Sequence, residues 1–309
     1  MNPLIRKLAG PKIQKLRRTL ETKSWRYIGL QRAMPNVTCV DVGASYFPHT
    51  SLWFFLGSEK TNWYAVEPNE QNLTYVKNWP WIAKLSPVTT GLSETGGLQT
   101  LFITNVDSGS SLLEPRITET MSQRLGDAGS NYFYPYTEVK IETITLSDVL
   151  ALNQKSVPAI IKLDTQGSEL SILRGALSKP EGSQIIAIEM ESSLLNEPTY
   201  RDSPRLWEAA AYLESFDFEM LSLDVFPRYG SVRRNLRKPR IAIDECDVIF
   251  CKKRSALKFE SIEYRMAVLG VYITYGFHQE ALFLLEEDVK LRDHLKNSGI
   301  NPKTILKRF

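Results

Sequence analysis

Three short motifs carry acids or glycine at points where apolar runs end. Val40-Asp41-Val42-Gly43 ends the first run, Glu67 follows the second, and Asp164 follows a later one. In an open α/β sheet, ligands bind beyond the carboxyl ends of the strands, so these residues are expected at one pocket. Glu67 lies 24 residues after Gly43, a spacing at which an acid can accept both hydroxyls of a ribose. The motifs therefore predict a pocket for a nucleoside-containing cofactor.

The turn after Gly43 discriminates between cofactors. A dinucleotide fingerprint needs glycines two and five residues further on, so that a pyrophosphate can reach a helix N-terminus. Those positions hold Ser45 and Pro48, and Phe47 also lies in the turn. The turn is too bulky for phosphates. S-adenosylmethionine carries an adenosine without phosphate, and the ribose acid and a glycine near its methionine portion are both present.

Strand and helix patterns alternate around these motifs. Alternating β and α units predict a parallel, doubly wound sheet. Its strands are expected at residues 38–42, 63–66, 85–90, 159–164, 185–188, 218–223 and 248–251. Helices are expected at 50–56, 69–78, 169–176 and 205–215. Residues 98–103 and 138–144 alternate like antiparallel strands, and the long loop at 105–135 between them is rich in Ser, Gly, Asn and Pro, which is typical of a functional or disordered segment.

The segment after residue 255 has no strand pattern. Ala256–Tyr275 and His278–Lys296 predict a helical hairpin that turns at Gly276. A glycine at such a point is a common helix terminator, because it adopts left-handed backbone angles without steric cost.

Four segments together resemble the FkbM-type S-adenosylmethionine-dependent methyltransferases. They are Val40–Ala44, Ala65–Asn69, Ile161–Leu170 and Leu173–Ala176. The resemblance covers about residues 37–252. It implies a Rossmann-like methyltransferase fold with a seventh, antiparallel strand at Val248–Cys251, and O-methylation of a sugar or glycan hydroxyl. The family usually continues its first motif with Asn-x-Gly, where this chain has Ser45-Tyr46-Phe47.

The sequence patterns and the extent of the resemblance together divide the chain. They predict a basic N-terminal helical segment at 1–35, a methyltransferase domain at 36–254 and a C-terminal helical extension at 255–309, and the resemblance assigns no role to the two outer segments. The resemblance places the Ser108–Ser111 run on the lid side of the methyl donor. The cofactor contacts expected from the motifs and this run are Asp41, Gly43, Ala44, Ser45, Glu67, Pro68 and Ser111.

Methyl transfer to a hydroxyl needs a base for the acceptor proton but no acid, since the leaving group departs neutral. Asp164 and Glu189 end neighbouring strands in the predicted order, so both are catalytic candidates. Glu191 lies further along the same strand, and His49 follows the first motif. Asp164 and Glu189 could instead hold Mg²⁺, which prefers oxygen ligands. Without a third carboxylate the metal is the less favoured alternative.

Charge is clustered at two places in the chain. The net charge is +3 over 309 residues, yet residues 1–32 carry nine Lys or Arg and one Glu. Their interleaved leucines and isoleucines predict peripheral contact of residues 1–27 with an anionic membrane; a solvated or core-packed helix is the alternative. A second basic block, Arg228–Arg240, is expected beside the substrate mouth and favours an anionic acceptor; a solvated loop is the alternative. Clustering of this kind does not indicate a nucleic-acid-binding protein.

Composition limits the location of the protein. No apolar run approaches the ~20 residues that span a bilayer, and the basic N-terminus lacks the apolar region of a secretory signal. The three cysteines lack metal-ligand spacing and indicate a reducing compartment. We therefore expect a cytoplasmic protein, with contact at the inner membrane surface through its N-terminus. The sequence makes no prediction of oligomeric state.

Two other functions compete with methyl transfer. A nucleotide-cofactor oxidoreductase is disfavoured by Ser45 and Pro48. A non-catalytic binding or assembly protein could keep the same fold and use the C-terminal helices as its working surface. The presence of both Asp164 and Glu189 favours an enzyme over this third possibility.

Overall fold

A seven-stranded sheet forms the centre of the protein. The computed structural model describes residues 27–45, 50–56, 58–77, 82–116, 133–134, 137–153, 156–195, 197–227, 243–257 and 260–306. Its strands are β1 (Val37–Val42), β2 (Thr61–Val66), β3 (Leu85–Val88), β4 (Gly91–Leu92), β5 (Gly97–Ile103), β6 (Thr137–Ile144), β7 (Ala159–Leu163), β8 (Ile185–Ser193), β9 (Phe218–Pro227) and β10 (Ile243–Lys252).

The strand order of the main sheet is β3-β2-β1-β7-β8-β10-β9. Neighbours run parallel from β3 to β8, whereas β10 is antiparallel to both β8 and β9. All six residues of β1 and all five of β7 are buried, as expected for parallel strands covered on both faces. The mostly parallel, doubly wound sheet with an antiparallel strand near its edge is confirmed.

The described helices cover both faces of the main sheet. Besides the helical residues 27–33, they are α1 (Glu70–Lys77), α2 (Leu146–Ala151), α3 (Glu169–Leu177), α4 (Leu206–Glu214), α5 (Arg254–Leu257), α6 (Ile262–Tyr275), α7 (His278–Glu287), α8 (Val289–Asn297) and α9 (Pro302–Leu306). One face packs against α2, α3 and α4. The opposite face packs against α1, α6, α7 and α8, together with residues 27–34 and 52–56.

Sequence patterns misjudged three elements. Residues 50–56 form a 3₁₀ turn at Thr50–Leu52 and further turns, not a continuous helix. Strand β8 continues to Ser193, so Glu189 lies within the strand and not at its end. The second helix of the predicted hairpin is divided at Asp288, whose extended backbone ends α7 and whose carboxylate accepts from the Leu291 amide to begin α8. The turn at Gly276 is confirmed, with a left-handed φ of 79°.

The two strands predicted between the third and fourth strands of the main sheet belong to a smaller sheet. Its order is β4-β6-β5, with β6 antiparallel to β5 and parallel to β4. Gly96 and Gly97 lead into β5 with positive φ angles, as a tight entry to a strand requires. This sheet lies over the carboxyl ends of β1 and β2 and forms a wall of the cavity described below.

The C-terminal helices are part of the main hydrophobic core. Helix α6 buries ten consecutive residues, from Arg265 to Thr274. Its apolar side chains join those of Cys39, Trp63, Ile160 and Ala187 on the sheet in one cluster. Residues before and after position 255 therefore pack together in one core. The division of the chain into domains at this position stays a prediction.

Several sequence predictions fall on residues that the structure does not describe. These are the basic segment up to residue 26, His49 and the basic block at 228–240. In the described part of the chain, no helix is both long enough and apolar enough to cross a membrane. The three cysteines are free and buried.

Candidate active site

A cavity of about 760 Å³ opens at the carboxyl ends of β1, β2 and β7. This volume falls within the ~300–1,000 Å³ of small-molecule pockets. The smaller sheet supplies an apolar wall of Gly91, Leu92, Leu101, Ile103, Val139 and Ile141. The opposite side is polar and is lined by Gly43, Ser45, Glu67, Pro68, Asn69, Asn72, Asp107, Ser108, Ser110, Ser111, Lys162, Asp164, Thr165 and Ser168.

The turn at Gly43 brings the ends of three strands together. Gly43 and Ala44 both donate their amides to the Val66 carbonyl, and the Asp164 amide donates to the Val42 carbonyl at 3.1 Å. Gly43 has a φ of 77°, and a Cβ at this position would lie 2.1 Å from the Asp164 carbonyl oxygen. Glycine is therefore required here by close approach to the neighbouring strand end.

Glu67 forms the acidic end of the cavity. Its carboxylate Oε1 accepts a hydrogen bond from the Asn69 amide at 2.8 Å. Burial raises the pKa of Glu67 to about 7, and the nearby Asp107 adds to this rise, while the Asn69 amide and Lys162 oppose it. Oε2 has no hydrogen-bond donor among the described residues, which leaves it for a ligand.

Asn72 joins two separate parts of the cavity wall. Its side-chain amide donates to Ser45 Oγ at 3.0 Å and to Asp107 Oδ2 at 3.2 Å. Ser45 follows the Gly43 turn, and Asp107 begins a 3₁₀ turn after β5. The amide therefore holds the segment at residues 107–111 against the first motif.

Lys162 lies at the floor of the cavity between carboxylates. Its Nζ is 3.2 Å from Asp164 Oδ2 and 3.7 Å from Asp41 Oδ1. Burial alone lowers the pKa of Lys162, but Asp164 and Asp41 raise it by more, with a further contribution from Glu189. The lysine therefore stays protonated and holds the acids in place.

Glu189 lies beside this floor and is bound by two hydroxyls. Its Oε2 accepts from Ser51 Oγ and from Tyr275 Oη, each at 2.6 Å. Burial raises the pKa of Tyr275 well above its ordinary value, and the charge of Glu189 adds to this effect. The phenol therefore stays protonated as a donor and connects α6 to the strand that carries Glu189.

The turn after Asp164 is fixed by contacts with the 107–111 segment. Ser111 Oγ donates to the Gln166 carbonyl at 2.8 Å. Gln166 has a left-handed φ of 58°, and its Nε2 donates to Asp164 Oδ1 at 3.1 Å. The Tyr200 hydroxyl donates to the Gly109 carbonyl at 2.6 Å and lies 3.0 Å from Gln166 Oε1. Each oxygen of Asp164 thus has a partner, Gln166 on one side and Lys162 on the other.

Most predicted cofactor residues meet at the cavity. Gly43, Ser45, Glu67, Pro68 and Ser111 line it, as does the candidate base Asp164. The other three predicted residues, Asp41, Ala44 and Glu189, are buried next to it but do not line it. Their assigned roles, like those of the lining residues, stay predictions.

Sequence reasoning missed four residues of the site: Asn72, Asp107, Lys162 and Tyr275. Lys162 stands in the Ile161–Leu170 motif and precedes Asp164 by two, so it lies at a strand end on the same side as Asp41. The spacing of two from Asp164 was a usable signal in the sequence, because side chains two residues apart in a strand point to the same side. Tyr275 had none, because its contact with Glu189 spans 86 residues.

Within the described ranges, no group of three or more His, Cys, Asp or Glu side chains could hold a metal ion. Asp164 instead contacts the Lys162 ammonium, and Glu189 contacts two hydroxyls. The alternative of a Mg²⁺ site on these two acids has no support in this arrangement.

Comparison with known proteins gives one family match. The family model described as the methyltransferase FkbM domain matches residues 41–220, more than half of the chain. No curated protein matches at a significant level. Similar solved structures include a precorrin-6y C5,15-methyltransferase from Geobacter metallireducens GS-15, at 10% identity and a TM-score of 0.31, over 74% of this chain and 88% of that one. A proposed methyltransferase from Thermoplasma acidophilum has 12% identity and a TM-score of 0.29, over 72% of this chain and 70% of that one.

Proposed function

The chain belongs to the FkbM methyltransferase family, and from this premise we propose that it transfers a methyl group from S-adenosylmethionine to a hydroxyl of a sugar or glycan. The supporting observation is the cavity at the ends of β1, β2 and β7, where Glu67, the Gly43 turn and the Lys162–Asp164 pair meet. A cavity with an acid at one end, an apolar wall and charged groups at its floor fits a nucleoside with a charged tail.

The residues present define how the donor would be held. Glu67 has a carboxylate oxygen left for the ribose hydroxyls, and the wall formed by Leu92, Ile103 and Ile141 suits an apolar purine face. The Gly43–Ser45 turn and the charged floor suit the methionine portion. When bound, S-adenosylmethionine supplies an electrophilic methyl group on a positively charged sulfur.

Asp164 is the side chain best placed to take the proton of an acceptor hydroxyl. It lines the cavity, and its side chain is 45% exposed. Gln166 and Lys162 hold its two oxygens in a fixed orientation. A base held at a fixed position contributes both proton transfer and alignment of the acceptor oxygen. Glu189, bound by Ser51 and Tyr275, is the second candidate.

The nature of the acceptor rests on sequence alone. We propose an anionic sugar or glycan, since the basic block at Arg228–Arg240 offers arginine forks for phosphate or carboxylate. Cytoplasmic location and peripheral membrane contact through residues 1–27 are likewise proposals. Both basic segments are outside the described residues, apart from the final residue of the N-terminal one.

A methyl-transfer assay tests the function directly. Labelled S-adenosylmethionine would be incubated with the protein and either nucleotide sugars or cell-envelope glycan extracts. We expect label in an alkali-stable ether on a sugar. Label only in protein or nucleic acid, or no transfer despite donor binding, would contradict the proposed acceptor class.

Replacing Glu67 with Ala is expected to weaken binding of S-adenosylmethionine by about 10- to 100-fold. Charge-assisted hydrogen bonds contribute about 1.5–3 kcal/mol, and the variant loses those to the ribose. Isothermal titration calorimetry measures the change. Glu70→Ala is the matched control. Glu70 is a nearby glutamate at the start of α1, but its side chain is 78% exposed and does not line the cavity, so this variant should keep the parental affinity. Parental affinity in Glu67→Ala would show that the ribose does not bind there.

Donor affinity is expected to rise with pH up to about 7 and then to level off. Burial raises the pKa of Glu67 to about 7, so the free carboxyl is protonated below that pH and must release its proton to accept two hydroxyls. Each pH unit below 7 should therefore weaken binding up to about tenfold. Calorimetry over roughly pH 5.5–8.5 would show the slope, and Glu67→Ala should abolish it. A flat profile in the parent protein would refute this explanation.

A further inference from the structure

The described lining of the cavity carries an excess of negative charge. Its ionisable lining side chains, among the residues described, are the three acids Glu67, Asp107 and Asp164 and the single base Lys162. No arginine or histidine stands among these described lining residues. The lining alone therefore carries two negative charges when all three acids are ionised.

Lys162, whose charge is included in this count, also contacts an acid outside the lining. Its Nζ lies 3.2 Å from Asp164 and 3.7 Å from Asp41, and Asp41 is buried beneath the floor. Glu189 adds a further negative field at the lysine. The lysine and its surrounding acids thus form a group with a net negative charge. Asp164 is the acid of this group that lines the cavity.

Such a cavity discriminates between ligands that differ by one positive charge. S-adenosylmethionine carries a sulfonium, an ammonium and a carboxylate, for a net charge of +1. When the methyl group moves, the carbon–sulfur bond breaks, its electron pair stays on sulfur, and the carbon–oxygen bond forms as the acceptor proton passes to the base. The product, S-adenosylhomocysteine, is therefore neutral.

We propose that the acidic floor makes this cavity select the cationic donor over its neutral product, with Asp164 as the specificity-determining residue. This inference rests on the proposed function. Interactions in a partly enclosed cavity are stronger than in bulk water, so one extra charge matters there. Loss of the sulfonium charge also weakens binding of the product, which favours its replacement by a new molecule of donor.

Calorimetry with three ligands tests the inference without an acceptor. Sinefungin carries an ammonium in place of the methylated sulfur, so it has the charge of the donor without its reactivity. At low salt, S-adenosylmethionine and sinefungin should each bind about tenfold more tightly than S-adenosylhomocysteine. Added salt should reduce this difference in affinity, because it screens the partly exposed charges of the cavity.

Asp164→Asn keeps the size of the side chain and removes its charge. We expect it to weaken binding of the two cationic ligands about tenfold and to change binding of S-adenosylhomocysteine by less than about twofold. Glu70→Gln removes a charge from an exposed side chain of α1 and should change none of the three affinities. The change that Asp164→Asn makes in the preference for the cationic ligands thus reports on the charge of Asp164.

Equal affinity of the parent protein for all three ligands, or equal weakening of all three by Asp164→Asn, would overturn the inference. Failure of all three to bind would instead overturn the cofactor assignment on which the inference rests. Tighter binding of S-adenosylhomocysteine than of the donor at low salt would also overturn the inference, while leaving the cofactor assignment intact.

Discussion

Replacing Asp164 with Asn is expected to lower the turnover number about a hundredfold at saturating donor. An amide cannot accept the proton of the acceptor hydroxyl, and general-base catalysis contributes about 10²–10⁴-fold. The protein should stay folded, because the side chain is half exposed and Asn can keep its contact with Gln166. Saturating donor removes the effect of any loss in donor affinity. Initial rates with an acceptor found in the transfer assay provide the measurement.

Two further variants make this result interpretable. Asp224→Asn changes an exposed acid on the edge strand β9 and should retain parental turnover. Glu189→Gln should be less damaging than Asp164→Asn, because Glu189 does not line the cavity and its Oε2 already has two donors. A large loss in Glu189→Gln with little change in Asp164→Asn would assign the base to Glu189. Full activity in both would exclude either acid as the base.

Replacing Gly43 with Ala is expected to lower the free energy of unfolding by about 3–5 kcal/mol. A left-handed backbone disfavours any side chain, and here the new Cβ would also lie 2.1 Å from the Asp164 carbonyl oxygen. The ends of β1 and β7 would have to separate, and the floor of the cavity would move with them. Chemical denaturation measures the stability, and calorimetry should show loss of donor binding.

Gly299 provides the control for this substitution. It has nearly the same φ, 75°, but nothing lies within 4 Å of a Cβ placed there. Gly299→Ala should therefore cost only the ~1–2 kcal/mol of the left-handed backbone. The difference between the losses in free energy of unfolding of the two variants measures the cost of the collision between the new Cβ and the Asp164 carbonyl oxygen. Equal losses of stability would show that the ends of β1 and β7 can separate without cost. Gly43 would then be required for its left-handed backbone angles alone.

The positions of the site residues could be predicted where they depend on strand ends. Apolar runs that end at or next to Gly43, Glu67 and Asp164 identify the edge of a parallel sheet where ligands bind, and the structure brings the ends of these strands together. The motif glycine was predicted too, but for a different reason. Gly43 was expected to lie near the methionine portion of the cofactor, whereas the structure shows that a side chain here would collide with the Asp164 backbone.

The remaining features depend on contacts that local patterns do not encode. Residues 52–56 are all apolar and belong to the helix predicted at 50–56, but they pack as turns beneath α6. The sequence predicts that the acidic Glu189 ends its strand. Strand β8 instead continues past it, because β10 pairs with β8 as far as Ser193. Asp288 divides the last long helix by capping a new one. In each case a distant partner or a side-chain cap outweighs the local pattern.

The order in which the chain leaves the ribosome has a consequence for folding. Strands β1, β2, β7 and β8 are synthesised before α6, although α6 covers their apolar side chains on one face of the sheet. That face cannot be covered until residues up to about 297 have emerged, so a nascent chain arrested earlier presents an open apolar surface. Exposed surfaces of this kind aggregate or recruit chaperones. The catalytic fold is thus completed only after α6 to α8 have emerged, long after the residues of its first motif.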